Sequence, residues 1–404
     1  MSLNTTPSAE RTHIGIFGRR NAGKSSLINA LTGQSLAIVS EVKGTTTDPV
    51  LKAMELLPLG PVVMIDTPGL DDEGNLGALR IQKAYQILNK TDIAILVIDG
   101  TSAPSPEDLD ILSLIQKKGI PFLVVLNKAD LISSSETTVK KAADILQVQP
   151  EKLFWASASS GSHIQELKEA IACLVPEEDQ TRRIAADLVQ PLDFVILVVP
   201  IDSAAPKGRL ILPQQQTIRD LLEAGAVSIV VRESELAKTL AKLDRRPDLV
   251  ITDSQAFQEV ASIVPNDIPL TSFSILFARY KGNLELLAAG AKTLDSLEDG
   301  DHILISEGCT HHRQCEDIGT VKLPRWIRTH TGKELSFDFT SGTEFPQDLQ
   351  RYRLIIHCGG CTLNEREMKY RLKCAEDAGI PITNYGTAIA YMKGILARSL
   401  EIFS

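Results

Sequence analysis

The run Gly18-Arg19-Arg20-Asn21-Ala22-Gly23-Lys24-Ser25 constrains the fold more than any other stretch of this chain. It fits G-x-x-x-x-G-K-[ST], follows the apolar run Ile14–Phe17 and opens the helical pattern Ser25–Leu31, which is the context a phosphate loop requires. Glycines let successive backbone N–H groups curl round an oxyanion, and a helix start adds a favourable field. Gly18, Asn21, Ala22, Gly23 and Ser26 then wrap the phosphates, Lys24 brings a point charge to the β- and γ-phosphates, and the Ser25 hydroxyl is a magnesium ligand. Further apolar runs follow at Val62–Ile65, Ile93–Ile98, Phe122–Leu126 and Leu153–Trp155, separated by helical stretches such as Asp108–Lys118. Unbroken apolar strands alternating with helices predict an α/β fold whose sheet is doubly wound, mostly parallel and buried on both faces.

Four more signals narrow the nucleotide to GTP. Gly44-Thr45-Thr46-Thr47-Asp48 stands where a first switch belongs, with Thr46 as a second magnesium-binding hydroxyl. Asp66-Thr67-Pro68-Gly69 follows an apolar strand, so Asp66 can hold magnesium through water and the Gly69 amide can sense the γ-phosphate. Asn127-Lys128-Ala129-Asp130 ends another strand, and Ser157-Ala158 completes the base pocket. The Asp130 carboxylate accepts two hydrogen bonds from N1–H and the exocyclic amine of guanine, which adenine does not offer; a mismatch leaves a charge desolvated and unpaired.

At 404 residues the chain is too long for one ordinary core, and its 43% apolar and 23% charged content is that of a globular protein. No apolar run reaches the roughly 18–20 residues of a membrane span. The polar start, Met1 to Thr12, lacks a secretory layout, so a cytoplasmic location without membrane attachment is the expectation. The net charge of −9 argues against broad nucleic-acid affinity, and residues 301–404 balance 13 basic against 13 acidic side chains.

Residues 1–175 read as the GTP-binding domain, ending before a charged linker over Glu177–Arg183. Residues 184–266 read as a middle α/β segment with strands Phe194–Val199, Val227–Val231 and Leu249–Thr252 and helices Gln214–Glu223 and Glu233–Leu243. It carries no nucleotide or catalytic motif, and Pro206-Lys207-Gly208-Arg209 reads as a solvated turn. Such a segment is a candidate oligomer interface. Residues 267–404 read as a third part: helix Leu284–Leu297, strand His302–Ser306, a long irregular stretch, strand Leu354–His357, helix Asn364–Ala378, strand Ile380–Thr383 and helix Thr387–Leu400. Lys322, Arg325, Trp326, Arg328 and Lys333 read as a solvated loop rather than a docking surface.

Two short motifs add chemistry far from the phosphate loop: Cys309-Thr310-His311 and His357-Cys358-Gly359-Gly360-Cys361. Both fall at the carboxyl ends of apolar strands, where open α/β sheets form their ligand crevice. If the strands His302–Ser306 and Leu354–His357 are near neighbours, Cys309, Cys358 and Cys361 meet. Zinc, with His311 or His357 as fourth ligand, and an iron–sulfur cluster fit these residues equally well. Glu307 is an added candidate for a labile oxygen ligand. Cys315 sits in a polar stretch and Cys374 in a helical one, where a packed thiol is the plainer reading.

The five nucleotide motifs resemble the translation-factor-related GTPases of the tRNA-modification (TrmE) and Era-like branch. The resemblance implies that Asn21 helps bind a potassium ion, and Leu70 stands where small signalling GTPases place a water-orienting glutamine. With the C-terminal cysteine motifs, the whole chain resembles the [FeFe]-hydrogenase maturation GTPase family, HydF. That resemblance implies a [4Fe-4S] cluster on Cys309, Cys358 and Cys361 with an exchangeable fourth site, for which His311, His357 and Glu307 are candidates. It implies a middle dimerisation domain and therefore a homodimer. It also implies GTP/GDP, Mg2+ and K+ as ligands, and a scaffold that receives a diiron precursor made with two radical-SAM maturases and passes it to apo-[FeFe]-hydrogenase. A GTPase acting on RNA and a zinc-stabilised switch are the competing readings.

Overall fold

The computed structural model describes residues 11–33, 50–67, 87–131, 136–174, 182–201, 210–308, 317–342, 344–346, 348–360 and 363–403. The chain divides into two compact units, Met1–Gln180 and Thr181–Ser404.

The first unit runs β1 (Thr12–Phe17), α1 (Lys24–Thr32), β2 (Val50–Leu56), β3 (Gly60–Asp66), β4 (Ile93–Asp99), α2 (Pro106–Lys117), β5 (Phe122–Asn127), α3 (Glu136–Leu146), β6 (Leu153–Trp155) and α4 (Ile164–Ala172). Its sheet has the order β2-β3-β1-β4-β5-β6, parallel except for the β2–β3 pair. Along β4, Ala94, Leu96 and Ile98 pack into one core while Ile93, Ile95 and Val97 pack into the other. The unbroken apolar run is thus the sequence of a strand covered on both sides. Antiparallel β2 was not anticipated: Val50–Leu56 interleaves Lys52 and Glu55, the pattern of an edge strand half open to water. Helix α2 starts on a capping box in which Ser105 and Asp108 exchange backbone bonds, with Pro106 in the first turn.

The second unit holds two four-stranded parallel sheets. It begins with β7 (Phe194–Val198), α5 (Leu212–Glu223), β8 (Val227–Val231), α6 (Leu236–Lys242), β9 (Leu249–Thr252), α7 (Phe257–Ile263), β10 (Leu270–Ser272), α8 (Phe273–Lys281) and α9 (Leu284–Ala291). It continues with β11 (His302–Ser306), α10 (Leu323–Thr331), β12 (Ser336–Thr340), β13 (Leu354–His357), α11 (Glu365–Ala378), β14 (Ile382–Asn384), α12 (Tyr385–Met392) and α13 (Leu396–Leu400). The strand orders are β10-β9-β7-β8 and β12-β11-β13-β14.

Three sequence expectations differ here. The boundary expected between residues 266 and 267 cuts the first of these sheets, because β10 pairs with β9 through Leu270↔Val250. The C-terminal helices return to that sheet as well: Ala390, Ile395 and Leu396 share a core with Ile196 and Val250. The stretch expected to be irregular between the cysteine motifs carries α10 and β12, and the basic residues read as a solvated loop lie on and around α10. Leu323 and Ile327 bury one face of that helix, while Arg328 stacks on Phe337 at 4.9 Å and donates to the Leu335 carbonyl. Finally, the helix expected over Thr387–Leu400 is two helices, α12 and α13, broken at Gly394, whose φ is +70°. The turn expected at Pro206–Arg209 lies outside the described residues.

Candidate functional site

In the first unit, backbone geometry at the phosphate loop excludes side chains where glycines stand. Gly18 has φ +140°, and a Cβ there would lie 2.2 Å from the Val97 carbonyl oxygen; Gly23 has φ +89°, and a Cβ there would lie 2.1 Å from Asn127 Nδ2. Exposed Asn21 takes φ +60°, a left-handed conformation that asparagine tolerates better than most residues. Lys24 is buried, and its ammonium donates to the Gly18 and Arg19 carbonyls at 2.9 and 2.7 Å. Ser26 is half-buried in the first turn of α1.

Ser25 Oγ donates to Asp66 Oδ2 at 2.8 Å, joining the start of α1 to the end of β3. Burial pushes the Asp66 carboxyl above its ordinary value, opposed by the Ser25 bond and the charges of Lys24 and Lys52. Two hard oxygens at this spacing suit Mg2+. Asn127 ties the loops together: its Nδ2 donates to the Ala22 carbonyl at 3.0 Å, and its Oδ1 accepts from Ala158 N–H at 3.1 Å. Lys128 is held by Asp99 at 2.6 Å. Asp130 accepts from Ser157 Oγ at 2.5 Å and Ser159 Oγ at 3.0 Å, and these hydroxyls hold its carboxyl below the usual range. It therefore stays ionised, the form that accepts from guanine. Ser159 was not anticipated; neither was the Arg19–Asp108 ion pair, at 3.3 Å, which anchors the phosphate loop to α2. Thr46 and Gly69 lie outside the described residues.

In the second unit, β11 and β13 are hydrogen-bonded neighbours, with Ser306 opposite His357. The Gly308 amide donates to Cys358 Sγ at 2.9 Å and the Gly360 amide to the same sulfur at 3.4 Å. The residue preceding Cys309 therefore touches the sulfur of Cys358. A thiolate taking backbone N–H bonds suits an iron–sulfur ligand, whose potential such bonds tune. Gly360 has φ +62°, and a Cβ on it would lie 2.6 Å from Met368 Sδ, so the loop's bend requires glycine.

Alternation along the strands sorts the candidate fourth ligands. Ile303, Ile305 and Ile356 face a core shared with Tyr385 and Cys358, whereas Leu304 and Ile355 face a core shared with Leu372 of α11. Glu307 belongs to the first face: it is buried, and Oε1 accepts from the Tyr385 hydroxyl at 3.1 Å. Gly319, in a π-helical turn (Ile318–Lys322), closes over this pair; a Cβ there would lie 2.1 Å from the Tyr385 oxygen. Burial first, then the charges of Glu307 and Cys358, hold the Tyr385 phenol well above its ordinary range.

His357 lies on the opposite face, toward Arg371. Burial lowers its pKa to about 4, with the Arg371 charge adding to the effect. Its Nδ1 donates to the Cys358 carbonyl at 2.5 Å, which leaves a bare Nε2 with no hydrogen-bond partner among the described residues. Fully buried Arg371 binds Ser306 Oγ at 2.9 Å, the Gly342 carbonyl at 2.7 Å and Glu367 at 3.3 Å, fixing the ends of β11 and β12. Cys374 packs beside the core of α11. Cys309, His311, Cys315 and Cys361 lie outside the described residues, and among the described ones no three His, Cys, Asp or Glu side chains converge as a metal site.

Comparison with known proteins accounts for most of the chain. Residues 184–282 match the Hydrogen maturase F dimerization domain, and residues 285–402 match the Hydrogen maturase F tetramerization domain. The chain belongs to the hydrogen maturase F family. Residues 13–128 match the 50S ribosome-binding GTPase family, so the first unit of this family member is a P-loop GTPase domain. The chain is similar to GTPase Der of Wolinella succinogenes (36% identity, 46% of this chain, 40% of that protein). It is also similar to the tRNA modification GTPase MnmE of Desulfotalea psychrophila (33%, 41% and 34%) and to GTPase Era of Carboxydothermus hydrogenoformans (30%, 41% and 55%). It thus spans between about a third and about a half of the length of these relatives. The family's two C-terminal domains are named for oligomerisation, and the second extends the expected dimer to a tetramer-forming segment. The dimerization match runs through residue 282, past the expected edge at 266 and in keeping with the pairing of β10. Among the described residues no helix is long and apolar enough to cross a membrane.

Proposed function

We propose that the protein hydrolyses GTP and serves as a scaffold that holds a [4Fe-4S] cluster on Cys309, Cys358 and Cys361 and carries a diiron cargo to apo-[FeFe]-hydrogenase. The observation that carries this reading is the Gly308 N–H bond to Cys358 Sγ, which brings the approach to one cysteine motif against the sulfur of the other. Family membership supports the maturation role.

On the nucleotide side, Ser25 and Asp66 hold magnesium, Lys24 turns from its loop carbonyls to the phosphates, and ionised Asp130 reads guanine. Thr46 and the Gly69 amide are assigned to the switches. On the cluster side, the bound cluster supplies an iron with an exchangeable ligand position to which cargo can bridge. Glu307 is the better-placed occupant of that position, because it shares a face with Cys358 and is held by Tyr385. His357 points toward α11 and instead braces the Cys358 peptide through Nδ1.

Anaerobic reconstitution with iron and sulfide, followed by visible absorption and electron paramagnetic resonance, tests the reading. The wild type should turn brown and give a reducible cluster signal. Cys358→Ser should lose that signal and hydrogenase activation while keeping GTP turnover within about twofold, because its sulfur lies in a different unit from the phosphate loop. A colourless wild-type protein containing zinc alone would overturn it.

A further inference from the structure

Lys281 closes α8, the last helix of the dimerization segment, yet its side chain is only 3% exposed. Its ammonium donates to the Gly360 carbonyl at 3.2 Å and to the Leu363 carbonyl at 2.9 Å, and lies 5.7 Å from the Phe277 ring centroid. Those two carbonyls flank Cys361 in sequence, one residue before and two after. A lysine at a helix end ordinarily extends into water, whereas this one is buried with its ammonium bonded to the backbone beside the cysteine motif.

We propose that Lys281 is a positioning residue that clamps Gly360 and Leu363 to the dimerization segment and biases a cluster held at the neighbouring Cys358 toward its reduced state. The inference rests on the cluster reading above and adds a residue that neither cysteine motif contains. Two consequences follow from the chemistry. Tying down the Gly360 and Leu363 carbonyls restrains the backbone at those two residues, and supporting bonds of this kind orient metal ligands. A fixed cation within the low-dielectric interior favours the more negative of two redox states, so it raises the reduction potential. Because the clamp joins a helix of one family segment to a loop of the other, it also ties the ligand loop to the element from which dimerization is organised.

The test compares wild type, Lys281→Met and Lys281→Gln. Hydrogen–deuterium exchange is read first on the full-length cluster-free protein, at the amides of residues 358–363, with β7 and β9 as the internal control. Lys281→Met should exchange at those amides about tenfold faster while the control strands keep wild-type rates. Lys281→Gln, which keeps an N–H donor and loses the charge, should retain more of the protection. After reconstitution, the midpoint potential of both variants should fall below that of the wild type. Unchanged exchange in Lys281→Met, or a midpoint that does not move in either variant, overturns the proposal. If Lys281→Met loses protection throughout the second unit, Lys281→Gln decides: a lower midpoint with intact control strands supports the proposal, and wild-type behaviour in both readouts defeats it. A wild type that takes up no cluster retires the cluster reading instead, while the exchange rates still judge the clamp.

Discussion

Asn21 is exposed and in a left-handed conformation, in a phosphate loop whose neighbours Arg19, Lys24 and Ser25 are engaged with protein partners and to which Asn127 bonds. The position after Asp66-Thr67-Pro68-Gly69 is Leu70, which has no group to orient water. Separately from orienting water, a source of positive charge has to meet the charge that develops on the transferred phosphoryl group. We infer that a monovalent cation held by the Asn21 amide oxygen supplies it without a partner's arginine. GTP turnover should therefore be at least about tenfold faster in potassium than in sodium, and Asn21→Ala should erase the difference, as expected for loss of one charge-stabilising contact. Steady-state phosphate release in matched chloride salts reads this directly, and equal wild-type rates would defeat it. The nucleotide residues are legible in sequence because they act through fixed local spacing. Lys281, Arg371 and Tyr385 act across the fold: each stands in an ordinary helical pattern, and only β11–β13 pairing and the return of the C-terminal helices give it a target. Asp108 was within reach, since Ser105 three residues earlier spells a capping box.

The second unit opens on a built anchor rather than a loose entry. Asp220 Oδ2, on α5, accepts backbone N–H bonds from Ile184 at 3.0 Å, Ala185 at 2.7 Å and Ala186 at 2.7 Å. Arg279 of α8 adds bonds to the Arg183 and Ile184 carbonyls and a salt bridge to Asp187, and Arg182 pairs with Glu365 in the first turn of α11. Helix α8 thus grips the incoming segment through Arg279 and the cysteine loop through Lys281. Asp220→Ala removes one carboxylate from three donors and should cost about 1–2 kcal/mol locally, accelerating exchange at the Ile184–Ala186 amides by about 5–30-fold. Rates equal to wild type would assign the anchoring to Arg279 alone. Strands such as β4, β7, β11 and β13 were legible because continuous apolar runs have few other solutions. The three-residue β10 was not, since Leu270-Thr271-Ser272 has no periodicity of its own and is a strand only because β9 lies beside it. Amphipathic α10 was obscured in the same way, its buried Leu323 and Ile327 diluted among basic residues that the sequence presents as a polar stretch.

At the scale of the assembly, the sheet β10-β9-β7-β8 has two edges with different surroundings. Arg398 of α13 sits near the β10 side, bonding the carbonyls of Ala261, Val264, Pro265 and Ile268, and α13 packs over that strand. The β8 edge carries no further strand among the described residues, and Val230 on it is 45% exposed. An open, β-branched edge without a charged side chain between Val227 and Val231 invites pairing with another strand. Because this segment matches a dimerization domain, we infer that the partner is β8 of a second copy, joined about a two-fold axis so that each edge satisfies the other. Val230→Lys sets like charges against each other across such an axis and should halve the mass of the assembly at micromolar concentration by light scattering. GTP turnover per chain should stay within about twofold, because the substitution lies in a different unit from the phosphate loop. A variant that still dimerises with wild-type affinity would move the contact off this edge. Loss of the dimer together with loss of turnover would show that the nucleotide site depends on assembly, a coupling that neither unit displays alone.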